Sequence, residues 1–159
     1  MTAKTDFTEE EWKLVLQGPT SAGLLVIASD RGGSVRESFS MAKAYAEARQ
    51  QHGESQLLDT IVSTKPEVDK TRSHSPEELR GRGLQHLRDA VALLEQKATP
   101  EEVEQYKRFI VTLAERVAEA RKEGFLGLSG DRVSPEERTS LEQIAEALGT
   151  EAPSAPEAP

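Results

Sequence analysis

The chain has 159 residues, enough for one domain of ordinary size with a single core. Aromatic residues make up only 4% of it and charged residues 30%, which points to a core of Leu, Val, Ile and Ala beneath well-solvated outer faces. A net charge of −8 argues against bulk attraction to nucleic acid or an anionic membrane, and zero Cys excludes disulfides, thiolate metal sites and cysteine nucleophiles.

One start signal recurs along the chain. Thr8-Glu9-Glu10-Glu11, Ser75-Pro76-Glu77-Glu78, Thr99-Pro100-Glu101-Glu102 and Ser134-Pro135-Glu136-Glu137 each place a hydroxyl residue ahead of an acidic pair. A Ser or Thr at the N-cap accepts from an orphan backbone N–H, and a Glu three residues on reaches back to the cap. Pro suits the first helical position, and acidic residues suit the positive end of the helix dipole. The expectation is an all-α fold: a compact single-domain bundle of about seven helices over residues 1–149.

In chain order, Met1 to Asp6 lacks the apolar stretch of a signal peptide. The first helix is expected over Glu9 to Gln17, with Phe7 and Trp12 at the spacing of a hydrophobic staple and Gly18-Pro19 as its end. A second helix is expected from Pro19 or Thr20 to Ser29. Its centre, Gly23 to Ala28, is apolar all round and reads as a buried helix, although periodicity alone also admits a buried strand. A strand there would leave Asp30-Arg31-Gly32-Gly33-Ser34 as an anion-holding turn. The longest apolar run, Ala22 to Ala28, is too short to cross a bilayer, so a soluble, cytoplasmic protein is expected.

A third helix should start at Ser34, with Glu37 in the reciprocal capping position, and end near Gln51. A short helix, Glu54 to Val62, follows, and then a linker from Ser63 to His74. The fifth helix should span Pro76 to Lys97, with Leu79, Gly83, Leu87, Val91 and Leu94 on its inner stripe. Gly81 and Gly83 disfavour a helix interior, so they mark either a frayed first turn or the close approach of another helix. The sixth, Pro100 to Glu123, carries Val103, Tyr106, Ile110, Leu113, Val117 and Ala120 at 3–4 spacing and should pack against the fifth. A Gly-rich loop, Gly124 to Asp131, leads to the last helix, Pro135 to Leu148, which should stop at Gly149. Residues 150–159, rich in Ala, Pro and Glu, are expected to form a disordered tail.

Chemistry is sparse. His52 and His74 fall in connections and His86 lies mid-helix, without the pairing a zinc site needs. The basic residues between Lys65 and Arg88 are interleaved with acids, so they read as a solvated face with in-helix pairs such as Glu78 with Arg82. Two stretches look alike: Leu24-Leu25-Val26-Ile27-Ala28-Ser29-Asp30-Arg31-Gly32-Gly33-Ser34-Val35-Arg36-Glu37, and Phe125-Leu126-Gly127-Leu128-Ser129-Gly130-Asp131-Arg132-Val133-Ser134-Pro135-Glu136-Glu137. On their residues alone, Glu37 and Glu137 close capping boxes, and Asp30 and Asp131 serve turns.

The pattern of apolar helix, acidic Gly turn, Val-Ser-x-Glu-Glu and next helix resembles the TerB-like domains, all-helical domains associated with tellurite resistance. The resemblance covers residues 20–46 and 124–148. It implies a divalent metal ion held by Asp30 and Glu37 from the first turn and by Asp131, Glu136 and Glu137 from the second. The first turn carries Arg31 and two Gly where that family has a tight Asp-Gly, and the second places Gly130 before Asp131. Three functions are therefore expected, in this order. The first is a non-enzymatic interaction or assembly module with a protein partner or with itself. The second is a TerB-like stress-response domain binding a divalent metal. The third is a small-molecule enzyme with an inter-helical pocket. No catalytic residue and no organic cofactor stand out.

Overall fold

The computed structural model describes residues 2–28, 35–50, 55–68, 75–123 and 135–150. After a single 3-10 turn at Lys4–Asp6, the described residues form six α-helices and no strand: α1 (Glu9–Ala28), α2 (Val35–Gln50), α3 (Gln56–Ser63), α4 (Pro76–Lys97), α5 (Pro100–Glu123) and α6 (Pro135–Leu148). The expected strand alternative at Leu24 to Ala28 is thereby removed, since that segment is the end of α1. The turn at Gly32-Gly33, the Gly124 to Asp131 loop and residues 151–159 of the tail lie outside the described residues.

The expected count of seven helices is corrected to six, because Gly18-Pro19 does not end the first helix. Pro19 sits inside α1. Its nitrogen has no hydrogen for the carbonyl one turn earlier, that of Val15. The Tyr106 hydroxyl donates to that carbonyl instead, at 2.7 Å. Gly18 makes this possible, because a Cβ there would sit 2.0 Å from the Tyr106 oxygen. The Thr20 hydroxyl, one residue further on, donates to the Glu67 carbonyl. The break at Val15 is thus repaired by a side chain distant in sequence.

From Gly18 to Gly23 every residue of α1 is buried, which makes α1 the central helix. It packs against α4 on one side and α5 on another, while α2 covers α5. The expected packing of the Pro100 helix on the Pro76 helix is correspondingly minor: α5 turns its stripe chiefly to α1 and α2. Of the expected stripe, Val103, Tyr106, Ile110, Leu113 and Val117 are all buried, and the side chain of Ala120 lies outside the described residues. Each of the larger side chains contributes about 1.5–3 kcal/mol on leaving water.

The start signals perform as expected. The Thr8 amide donates to Glu11 Oε2 at 2.8 Å while the Glu11 amide donates to Thr8 Oγ1 at 3.2 Å. Thr99 and Glu102 repeat the exchange at 3.0 and 3.2 Å. Ser75 Oγ accepts from the Glu78 amide at 3.1 Å; Ser134 lies outside the described residues. The staple forms, with the Phe7 and Trp12 rings 5.6 Å apart. At its far end, α6 closes on Gly149 at φ 73°, with the Gly149 amide on the Glu146 carbonyl and the Thr150 amide on the Ala145 carbonyl, both 3.0 Å. That double bond is the Schellman arrangement, which needs a left-handed residue.

The N-terminal segment is tied to the α4–α5 turn. The Thr2 hydroxyl donates to Glu102 Oε1 at 2.8 Å and its amide to Oε2 at 3.2 Å. Lys97 Nζ reaches Glu11 Oε2 at 2.7 Å and the Asp6 carbonyl at 2.9 Å, and lies 5.6 Å from the Phe7 ring centre.

Candidate functional site

The arrangement with the most chemical content is an open cleft of about 150 Å³ among α2, α3 and α5. Three local devices build it. Ser55 caps α3 by accepting from the Leu58 amide at 3.0 Å, which starts the helix that carries Leu58 to the cleft. Arg49 Nε, near the end of α2, donates to the Val62 carbonyl in the last turn of α3 at 2.6 Å, joining the two helices. The Tyr45 ring meets Phe109 edge-on, with centroids 5.4 Å apart at 80°, and this fixes α2 against α5.

The cleft has an apolar floor and a polar rim. Ala44, Phe109 and Leu113 are buried, and Ala48 and Leu58 are half-buried beside them. Glu47 from α2 and Gln105, Arg108, Thr112 and Arg116 from α5 complete the lining. Arg116 Nη2 lies 3.3 Å from Glu47 Oε2, so one pair of opposite charges links the two helices at the rim. Arg108 is exposed and makes no hydrogen bond or ion pair with the described residues.

Tyr45 stands directly behind this floor. It is buried, and its hydroxyl has no hydrogen-bond partner among the described residues. Burial pushes its pKa well above the usual phenol range, with the positive charge of Arg49 opposing. Glu115, on α5, is pushed up by burial and by the neighbouring Glu119, while Arg116 acts in the other direction.

The sequence-expected metal residues are placed only in part. Asp30 and Asp131 lie outside the described residues, as does the side chain of Glu37, whose backbone belongs to the first turn of α2. Glu136 and Glu137 are both in the first turn of α6, but Glu136 is exposed and Glu137 is buried. Neighbouring positions on a helix point about 100° apart, which fits that difference. Among the described residues no group of three His, Asp or Glu side chains is gathered for a metal ion, and no helix is long and apolar enough to cross a membrane.

Sequence reasoning missed the partner of His86. Its Nδ1 lies 3.3 Å from Ser21 Oγ, joining α4 to α1. The opening beside this pair measures about 30 Å³, against about 150 Å³ for the cleft among α2, α3 and α5. A Ser–His contact usually draws attention as a nucleophile and its base; here the contact joins two helices beside the smaller of the two openings. Comparison with family models, with curated proteins and with solved structures returns no match, so the reading of the cleft rests on its geometry.

Proposed function

We propose that the protein is a non-enzymatic binding module that takes a small molecule into the cleft among α2, α3 and α5. The observation that carries this reading is the combination of an apolar floor, drawn from three helices, with a rim that retains an unengaged guanidinium. Small-molecule sites are concave and mostly apolar, with a few polar groups that orient the ligand. A cleft of about 150 Å³ compares with the cavity of about 150 Å³ that holds one benzene molecule. Among the described residues the lining supplies no nucleophile and base in contact, which favours binding over catalysis here. A broad apolar face for self-association has less support, since the one large hydrophobic side chain largely exposed among the described residues is Val68, at 42%.

The test is a chemical-shift titration with one-ring fragments of positive, neutral and negative charge. Amides of Ala44, Ala48, Phe109 and Thr112 should move with at least one of them, and Ala48→Phe, which fills the cleft, should abolish the movement. If no fragment of any charge moves these amides, the cleft is not a binding site.

A further inference from the structure

We infer that the ligand of this cleft is a small organic carboxylate whose apolar body is about the size of one six-membered ring. The inference rests on the binding-module reading and adds the chemistry of recognition. Among the described residues the lining carries three formal charges. Glu47 and Arg116 are paired at 3.3 Å and cancel, so the remaining charge is the single positive one of Arg108. That guanidinium is exposed and holds no partner among the described residues. Its planar fork matches a carboxylate in two parallel hydrogen bonds, a geometry that a lone ammonium does not offer.

The position of Arg108 along α5 adds a second argument. Arg108 and Arg116 both line the cleft and are two helical turns apart, about 12 Å along the axis. Arg108, with Gln105 one turn beyond it, therefore stands toward one end of the lining and the Glu47–Arg116 bridge toward the other. Between them lie Phe109 and Leu113, both buried, which offer an apolar bed to the ligand's body. A carboxylate at the Arg108 end and a ring on that bed satisfy both parts of the lining together. A neutral ring leaves the guanidinium unused, and a cation meets it as a like charge.

The overall charge of −8 repels anions at long range, but that field is screened beyond a Debye length of about 8 Å at physiological salt. Recognition must then come from contact with Arg108, and the consequence is measurable. Benzoate, benzamide and acetate serve as probes, titrated against the full chain and followed by amide shifts of Phe109 and Thr112. Benzoate should bind about tenfold more tightly than benzamide, in line with a charge-assisted hydrogen-bonded pair, and acetate should bind more weakly than benzoate for want of a ring. Arg108→Gln should weaken benzoate more than benzamide and remove the preference between them. Because Arg108 is exposed and unbonded, this variant should retain the wild-type melting temperature. Benzamide binding as well as benzoate, or an Arg108→Gln variant that still prefers benzoate, overturns the carboxylate inference while leaving the binding module intact. Failure of all three probes to move the cleft amides in wild type removes both.

Discussion

The hydroxyl of Tyr106 donates to the Val15 carbonyl that Pro19 leaves without a backbone partner. The hydroxyl of Tyr45 is buried in the same core with no partner among the described residues. One substitution, Tyr to Phe, should therefore act with opposite sign at the two positions. At Tyr106 it orphans a buried carbonyl, and a loss of about 1–3 kcal/mol is expected. At Tyr45 it removes an oxygen whose desolvation nothing repays, so a gain of about 1 kcal/mol is expected. Both rings remain, and Phe109 keeps its edge contact with residue 45. Denaturant melts of the two variants decide the matter: if Tyr45→Phe is as destabilising as Tyr106→Phe, the account of both hydroxyls is wrong. Gly18→Ala should be at least as damaging as Tyr106→Phe, because its Cβ would occupy the space of the phenol oxygen.

The same hydrogen bond explains why α1 runs through a sequence that reads as its end. Replacing Pro19 by Ala returns an N–H to the helix ladder, where it faces the Val15 carbonyl. Tyr106→Phe should then cost less in a Pro19→Ala background than in wild type, with a coupling of about 1 kcal/mol in a double-mutant cycle; strict additivity would dissociate the phenol from the proline. In α4 the two glycines separate cleanly. A Cβ at Gly81 meets nothing within 4 Å, whereas at Gly83 it meets three carbons of Leu25 at 3.1–3.2 Å. Gly81→Ala should stabilise by about 0.5–1 kcal/mol, and Gly83→Ala should lose that gain to the displacement of Leu25, so their melting temperatures should differ in that order. The ends of α4, α5 and α6 were legible in the sequence because the groups that set them lie within a few residues, as Thr99 and Glu102 do. The continuity of α1 was not, because the donor that repairs it is 91 positions away. The cleft was equally hidden. Leu113 belongs to the inner stripe of α5 and reads as packing, Phe109 falls outside that stripe, and Arg108 resembles any charged residue of an outer face until α2 and α3 are laid beside it. The five candidate metal residues came from a turn pattern, and of their side chains only those of Glu136 and Glu137 fall within the described structure, one exposed and one buried.

Across the whole molecule, carboxylates with shifts of both signs set how stability follows pH. Glu11 is held below the usual carboxylate range by its hydrogen bond from Lys97, with the Thr8 amide adding to it. Burial by itself would push Glu102 up, but the hydrogen bonds from Thr99 and Thr2 outweigh it and the net direction is down. For a depressed carboxylate the folded state binds its proton more weakly than the unfolded chain does. The stabilisation is then present above the unfolded pKa, about 4.3, and is lost as pH falls through the folded value. Glu115 runs the other way: burial and Glu119 raise it, so its ionised form opposes folding once the pH exceeds its folded pKa. Glu115→Gln should accordingly raise the melting temperature at about pH 7 and lose that advantage by about pH 3, where both states carry a neutral group. Glu11 and Glu102 together fasten residues 2–11 to the α4–α5 turn, and the chain's single Trp, Trp12, packs on Phe7 within that assembly. Trp12 emission should thus change on acidification over the range in which these two carboxylates protonate. Lys97→Met removes the partner that depresses Glu11, so it should lower the melting temperature at about pH 7 and flatten its dependence on pH between about 5 and 3. Equal slopes for Lys97→Met and wild type over that interval would mean that the tie between Lys97 and Glu11 contributes nothing to the acid response.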